Sequence, residues 1–436
     1  MRVLGPVALA LAGVGLAAAA SAQQAPVDGA LASPAIRALT VSAAGAEAGV
    51  VTSFWASVEE AGAPLVNPAA VPGHTVVTFV YRGDPSVEAV RLESNLNALL
   101  IDGITIDFGS LGAMARVPGT DVWYRSFRLR NDVRVPYRFE VTRGDSTVTE
   151  MDPLNPTVWE PEQTPLAASV LELPGAPGQP WRTYAESDQG DWDEWEFDEG
   201  PDAGRTVYIY KPRSWSADRA EPFSVLVGLG AFQHGIGMRV DRMVDHLIEM
   251  GQLAPMVVAL ADLEPGADTT GYQSTTAFVV DRFLPWLAER YNTSLDAEQV
   301  VISGTSLRGM VAAMVAHRRP ESVGNVISLS GSYYWRPAGE SEYEWVPRLY
   351  AESPARPVKL YVTAGELETV VTPGNAGHYM AATNRHFRDV LSAGGYRFTY
   401  REFNGVHSEL NWQDGLAEGL IRLIGPRRLT STPQSP

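Results

Sequence analysis

The chain has 436 residues, 45% of them apolar and 19% charged, so it can bury a sizeable core and suits two or three domains rather than one. Aspartate and glutamate total 51 against 34 lysine and arginine, and the net charge of −17 excludes a general nucleic-acid-binding surface. Cysteine is absent, which excludes disulfide frameworks, cysteine metal sites, thiol nucleophiles and a lipidated N-terminal cysteine.

Residues 1–22 read as a secretory signal peptide. Arg2 supplies the basic start, Val7 to Ala20 the apolar stretch, and Ala20-Ser21-Ala22 a small-residue cleavage site before Gln23. That stretch is shorter than the ~20 apolar residues of a membrane span. No later segment reaches that length, so no span is expected after signal removal. The expected location is periplasmic or secreted.

Residues 23–50, rich in alanine and glycine, are expected to be loose. Strand-like runs follow at Val76-Val77-Thr78-Phe79-Val80-Tyr81, at Val122 to Leu129 and at Tyr137-Arg138-Phe139-Glu140-Val141. No long helical pattern separates them. Residues 23–151 are therefore expected to hold a small all-β sandwich, immunoglobulin-like, beginning near residue 50. Prolines at 153, 156, 161, 165, 174, 177 and 180 mark 152–184 as a semi-rigid connector.

From 185 to 428 short apolar runs alternate with helical patterns. The runs are Thr206 to Tyr210, Val225 to Leu229, Met256 to Leu260, Val300 to Ser303 and Val358 to Val362. The helical patterns are Val240 to Met250, Thr276 to Tyr291 and Met310 to Arg319. This is the pattern of an α/β layer fold with a mostly parallel sheet. Residues 429–436 are expected to fray.

Val300-Val301-Ile302-Ser303-Gly304-Thr305-Ser306-Leu307-Arg308-Gly309-Met310 runs strand, Gly-x-Ser, helix. It resembles the nucleophile elbow of α/β-hydrolases, in which a strained turn lifts one serine above the sheet edge. Arg308 stands two after Ser306, where glycine is usual, and Gly309 follows. The alternative is a structural serine in an ordinary turn.

A general base must reach that serine. Of the seven histidines, His407 lies in Asn404-Gly405-Val406-His407-Ser408-Glu409, just past the strand-like Phe398 to Phe403. His74 is N-terminal, and His246 and His317 read as helix-surface positions. His234 follows the Val225 run, and His378 and His386 lie in or near a helix. Chain order, serine then acid then histidine, favours His407. The acid is expected in Ala364-Gly365-Glu366-Leu367-Glu368-Thr369, where both glutamates qualify. The loop Gly228-Leu229-Gly230-Ala231-Phe232-Gln233-His234-Gly235 is expected to supply one oxyanion N–H at Ala231, with Leu307 supplying the other. No Gly-x-Gly-x-x-Gly opens a helix there, so it is not a dinucleotide loop.

Blocks along residues 53–424 resemble the enterochelin (ferric enterobactin) esterases, two-domain proteins that hydrolyse a catecholate siderophore trilactone. They are Ser53-Phe54-Trp55, Gly62-Ala63-Pro64-Leu65-Val66, Val77 to Arg82, Gly119-Thr120-Asp121-Val122-Trp123 and Asp152-Pro153-Leu154-Asn155-Pro156. In the second domain they are Leu329-Ser330-Gly331-Ser332-Tyr333-Tyr334-Trp335, Trp412, Gly415-Leu416 and Gly419-Leu420-Ile421. The resemblance implies an α/β-hydrolase of the esterase D type behind an early-set-like N-terminal domain. It makes Ser306 the nucleophile and His407 the base. Gly365-Glu366-Leu367-Glu368 matches the family's Gly-x-x-Glu, which places Glu368 ahead of Glu366.

The chain departs from the family at Arg308. It departs again at Leu229, where aspartate is common. It departs a third time at Gly271 to Thr276, where an arginine and a glutamate are not evident. Arg308, Phe232, Tyr333, Trp335 and Trp412 are expected to contact substrate. No cofactor or metal is expected in the chemistry, although the substrate can carry iron. The partner is a small-molecule ester. The competing readings are a carbohydrate-associated feruloyl or acetyl esterase, and an inactive protein that binds catechols or sugars on the aromatic surface around Tyr333 and Trp335.

Overall fold

The computed structural model describes residues 32–94, 112–159, 167–183, 189–262, 274–369 and 379–426. The expected signal segment 1–22 and tail 429–436 lie outside them. The described chain divides into two compact units. The first takes residues up to 93, then 112–129 and 139–156. The second takes 94, 130–138 and everything from 157 onward.

Among the described residues the first unit opens with two helices, Pro34–Ala44, where a loose segment was expected, and Val50–Ala61, where the all-β sandwich was expected to begin. Alanine is the best helix former. Ser33 accepts a hydrogen bond from the Ile36 N–H at 3.2 Å, and Pro34 presets the first turn. Ile36 and Leu39 from the first helix pack with Phe54, Trp55 and Val58 from the second, against Val80, Val122 and Tyr124. The expected strands are present as His74–Arg82, Val122–Arg130 and Arg134–Arg143. The first two neighbour each other in a four-stranded sheet, and Phe139–Arg143 pairs with Ser146–Glu150. Tyr81 meets Phe139 edge-on at 5.3 Å.

The proline-rich stretch is not merely a connector. Its proline-free Ala168–Glu172 is a buried strand paired with Arg134–Tyr137. Residues 160–166 and 184–188 lie outside the described residues.

The second unit holds an eight-stranded sheet: β1 (Asp191–Glu196), β2 (Thr206–Lys211), β3 (Ser224–Leu229), β4 (Met256–Ala261), β5 (Val300–Thr305), β6 (Asn325–Leu329), β7 (Lys359–Gly365) and β8 (Arg397–Phe403). The spatial order is β1-β2-β4-β3-β5-β6-β7-β8. β2 is antiparallel to both β1 and β4, and the other pairs are parallel. β3 to β6 are buried, apart from Ser224 at the start of β3, and mostly apolar because helices cover both faces. The helices Ser306–Arg318 and Met380–Ala393 bury their apolar sides in one core. Val240–Glu249 and Glu409–Ile424 bury theirs in another.

The chain leaves β3 to one side for β4 and returns on the other side as β5, so the sheet's switch point lies between β3 and β5. In open α/β sheets this is where ligand sites form, beyond the carboxyl ends of the strands. Leu229 sits opposite Gly304, which puts Ala231 and Ser306 each two residues past that pair.

Candidate active site

Ser306 has a φ of +53°. A left-handed conformation costs a non-glycine residue roughly 1–2 kcal/mol, so the surrounding packing must impose it. A Cβ on Gly304 would lie 2.3 Å from the Arg308 carbonyl carbon. One on Gly309 would lie 2.9 Å from the Gly304 oxygen and 3.0 Å from Ser328 Oγ. The turn therefore needs glycine at 304 and 309, and residue 308 is released from that demand. Arg308 instead lays its side chain over Gly230, whose φ is +105° and whose Cβ would sit 2.8 Å from Arg308 Cδ. The unusual residue thus fits the elbow without deforming it.

Ser306 Oγ lies 3.3 Å from Ser332 Oγ, and the Ser306 carbonyl accepts the Ser332 N–H at 3.0 Å. His407 Nδ1 donates to Glu368 Oε2 at 2.8 Å. That bond leaves Nε2 as the nitrogen able to take a proton. Glu368 is buried after β7. Its other oxygen, Oε1, accepts from Ser330 Oγ at 2.5 Å and from the Gly365 N–H at 2.8 Å. Trp412 Nε1 donates to the same Ser330 hydroxyl at 2.9 Å, and its ring meets His407 edge-on at 4.7 Å. Burial pulls the His407 pKa down, but the Glu368 charge and hydrogen bond, helped by Glu409, outweigh it. The imidazole ends above its ordinary value. Burial also raises the Glu409 carboxyl.

The structure brings Glu368 to His407 and turns Glu366 away. Glu366 pairs with Arg130 at 2.5 Å. The Ala231 N–H donates to Asp262 Oδ1 at 3.1 Å, and Arg308 Nη2 lies 3.9 Å from that same oxygen. Leu307 is the second residue of the helix Ser306–Arg318, among the N–H groups that lack an intrahelical acceptor.

Two expected substrate contacts are corrected. Tyr333 is fully buried, donates to Ser328 Oγ at 2.8 Å and stacks on Phe387 at 4.0 Å, so it belongs to the core. Trp412 is buried as well and holds Ser330 and His407 from behind. Trp335 is half-buried against Trp345. Phe232 is 36% exposed beside Ala231. Without Tyr333 the proposed aromatic binding surface loses half its basis. His317 is not a surface residue either, since it packs on Tyr350 and bonds Ser353 Oγ at 2.8 Å. His378 and Gly271 to Gln273 lie outside the described residues.

Sequence reasoning passed over Ser330, Ser332, Asp262 and His234. The only available signal was position, since Ser330-Gly331-Ser332 directly follows β6 and Asp262 directly follows β4.

The Esterase family model matches residues 200–423, and the model "Enterochelin esterase, N-terminal" matches 76–182. The iron(III) enterobactin esterase of Escherichia coli O6:H1 is 27% identical over 345 residues, covering 72% of this chain and 82% of its own. That of Dickeya dadantii is 25% identical over 425 residues, covering 85% and 92%. The enterobactin esterase of Shigella flexneri, solved in the presence of 2,3-dihydroxy-N-benzoyl-serine, superposes with a TM-score of 0.63 at 25% identity, covering 85% of this chain and 97% of its own. The elbow, the switch-point loops and the two matched domains agree, and the chain belongs to the enterochelin esterase family as a carboxylic ester hydrolase.

Proposed function

We propose that the protein hydrolyses the ester bonds of a catecholate siderophore of the enterobactin type through Ser306, His407 and Glu368. The observation that carries this reading is the Glu368–His407 pair at the same sheet edge as the strained Ser306 elbow. The siderophore class is supported by the enterobactin esterases that match over most of their length.

In this mechanism Ser306 Oγ bonds to the ester carbonyl carbon as its proton passes to His407 Nε2. The carbonyl pair moves onto oxygen, and the Ala231 and Leu307 N–H groups receive the oxyanion. Asp262 must give up the Ala231 N–H for this to happen. The tetrahedral adduct then expels the serine alkoxide of the lactone, which takes the proton from Nε2. Water repeats the sequence, yielding the acid and free Ser306. Glu368 holds the Nδ1–H tautomer and stabilises the imidazolium. Opening the trilactone weakens its grip on iron, which is released as cargo. Residues 1–22 direct the chain out of the cytoplasm, and N-terminal sequencing of the exported protein should begin at Gln23.

The test is incubation with iron-loaded and iron-free enterobactin, with products followed by mass spectrometry. Ser306→Ala should lose roughly 10⁴-fold or more in turnover. Retention of more than a tenth of the activity removes Ser306 from the mechanism. Faster hydrolysis of a feruloylated sugar would move the reading to a carbohydrate-associated esterase.

A further inference from the structure

We infer that His234 is a positioning residue that aims the oxyanion-binding N–H of Ala231. The inference rests on the reading above, in which that N–H and Ser306 act together.

The Gly230 carbonyl and the Ala231 N–H belong to one planar peptide and point in opposite directions. Whatever fixes the Gly230 oxygen therefore fixes the direction of the Ala231 N–H. His234 Nδ1 lies 3.0 Å from the Gly230 oxygen, and the His234 backbone N–H donates to the same oxygen at 3.2 Å. A carbonyl only accepts, so Nδ1 carries the proton. The opposite nitrogen, Nε2, then accepts from Ser303 Oγ at 3.1 Å. Ser303 lies on β5, three residues before Ser306. One imidazole thus ties the oxyanion peptide to the strand that carries the nucleophile.

The seat for this ring is built in. His234 is fully buried, and burial holds its pKa down at about 4, so it stays neutral with both bonds intact. A Cβ on Gly228 would come within 3.0 Å of His234 Cγ, so the ring occupies space that only glycine leaves open. His234 lies in the wide π-helical turn Phe232–Gly237, a form that recurs at functional sites. Gly230, at φ +105° and without a Cβ, is the residue in this loop freest to flip its peptide. His234 opposes that flip.

His234→Asn and His234→Gln separate this role from simple packing. Asparagine can place an N–H near the former Nδ1, towards Gly230. Glutamine reaches instead towards Ser303. Complete removal of an oxyanion donor costs about 10²–10³ in kcat. A misaimed donor in His234→Gln should cost roughly tenfold or more in kcat with KM unchanged, while His234→Asn stays within about threefold. A p-nitrophenyl ester serves as substrate, and rates are referred to the fraction of Ser306 labelled by a fluorophosphonate. Equal kcat in the two variants, or a better glutamine variant, overturns the inference while Ser306→Ala is inactive. Activity remaining in Ser306→Ala overturns the underlying reading instead. If neither His234 variant folds, Ser303→Ala decides. It frees one end of the ring, and it should lower kcat several-fold without changing KM. An unchanged kcat overturns the inference.

Discussion

Glu368→Gln tests the centre of the site, with Glu366→Gln as its control two residues away. In Glu368 a buried charge 2.8 Å from His407 Nδ1 is lost, and the Ser330 and Gly365 donors face a neutral amide. Removing the orienting acid of a triad costs about 10⁴-fold in kcat when the imidazole tautomer is lost. Glu366 pairs with Arg130 near the surface, where both side chains keep solvent contact, so its loss is worth about 0–1 kcal/mol and little activity. The pH profile adds a second readout. The base works only as neutral imidazole, so activity falls as pH drops through the His407 pKa. Glu368 holds that pKa above its ordinary value against burial. In Glu368→Gln the burial effect is left opposed mainly by Glu409, so the acid limb of kcat/KM should move to lower pH even as its plateau collapses. Glu366→Gln should leave the limb in place. Hydrolysis of a neutral p-nitrophenyl ester from pH 5 to 9 measures both. Equal losses in the two variants, or an acid limb that stays put in Glu368→Gln, refutes the reasoning.

Gly309→Ala places a methyl 2.9 Å from the Gly304 oxygen. It should cost about 1–3 kcal/mol of stability and lower Tm by several degrees, read by thermal denaturation. Arg308→Gly should leave a neutral ester almost unaffected but raise KM for an anionic ester several-fold, with the difference shrinking in high salt. If both esters respond alike, Arg308 serves the scaffold only. Asp262→Ala removes the group now bonded to the Ala231 N–H and should raise kcat/KM a few-fold; a fall instead would mean that Asp262 helps turnover.

The runs that form β2, β3, β4, β5 and β7, and the loops carrying Ser306 and His407 beyond the sheet strands, could be read in the sequence for one physical reason, although the spatial order and the short buried β6 were not read. Buried parallel strands must be continuous apolar runs, and the loops after them must fall at one edge. An element that escapes that demand is harder still to read. β1 is Asp-Trp-Asp-Glu-Trp-Glu, four acids in six residues, and an edge strand tolerates it because it pairs on one side only. The choice between Glu366 and Glu368 was hidden from the local residues, and only the Gly-x-x-Glu resemblance favoured Glu368. It turns on Arg130, 236 residues away in the chain, which draws Glu366 outward. Tyr333 and Trp412 looked like ligand contacts because aromatic residues beside a catalytic serine resemble a binding wall. Phe387 and Ser330 claim them instead, and the sequence does not show which residues those partners will meet.

Arg308 is where a local rule and its cause come apart. Glycine is usual two residues after the nucleophile because the elbow is crowded, but here the crowding falls on Gly304 and Gly309. Position 308 can then carry charge, and its guanidinium reaches over Gly230 towards the oxygen of Asp262 that the Ala231 N–H also binds. The Ala231 N–H is hydrogen-bonded to that oxygen at 3.1 Å, while Arg308 Nη2, 3.9 Å away, is an ion-pair neighbour rather than a second donor. The bond shows that the Ala231 N–H can hold an anionic oxygen. In the proposed mechanism, that N–H therefore already faces an anionic oxygen before substrate arrives, in keeping with electrostatic preorganisation. In the same mechanism, an ester that also bears an anion would meet the Arg308 side chain where it lies over Gly230, next to Ala231, and would compete with Asp262 for it.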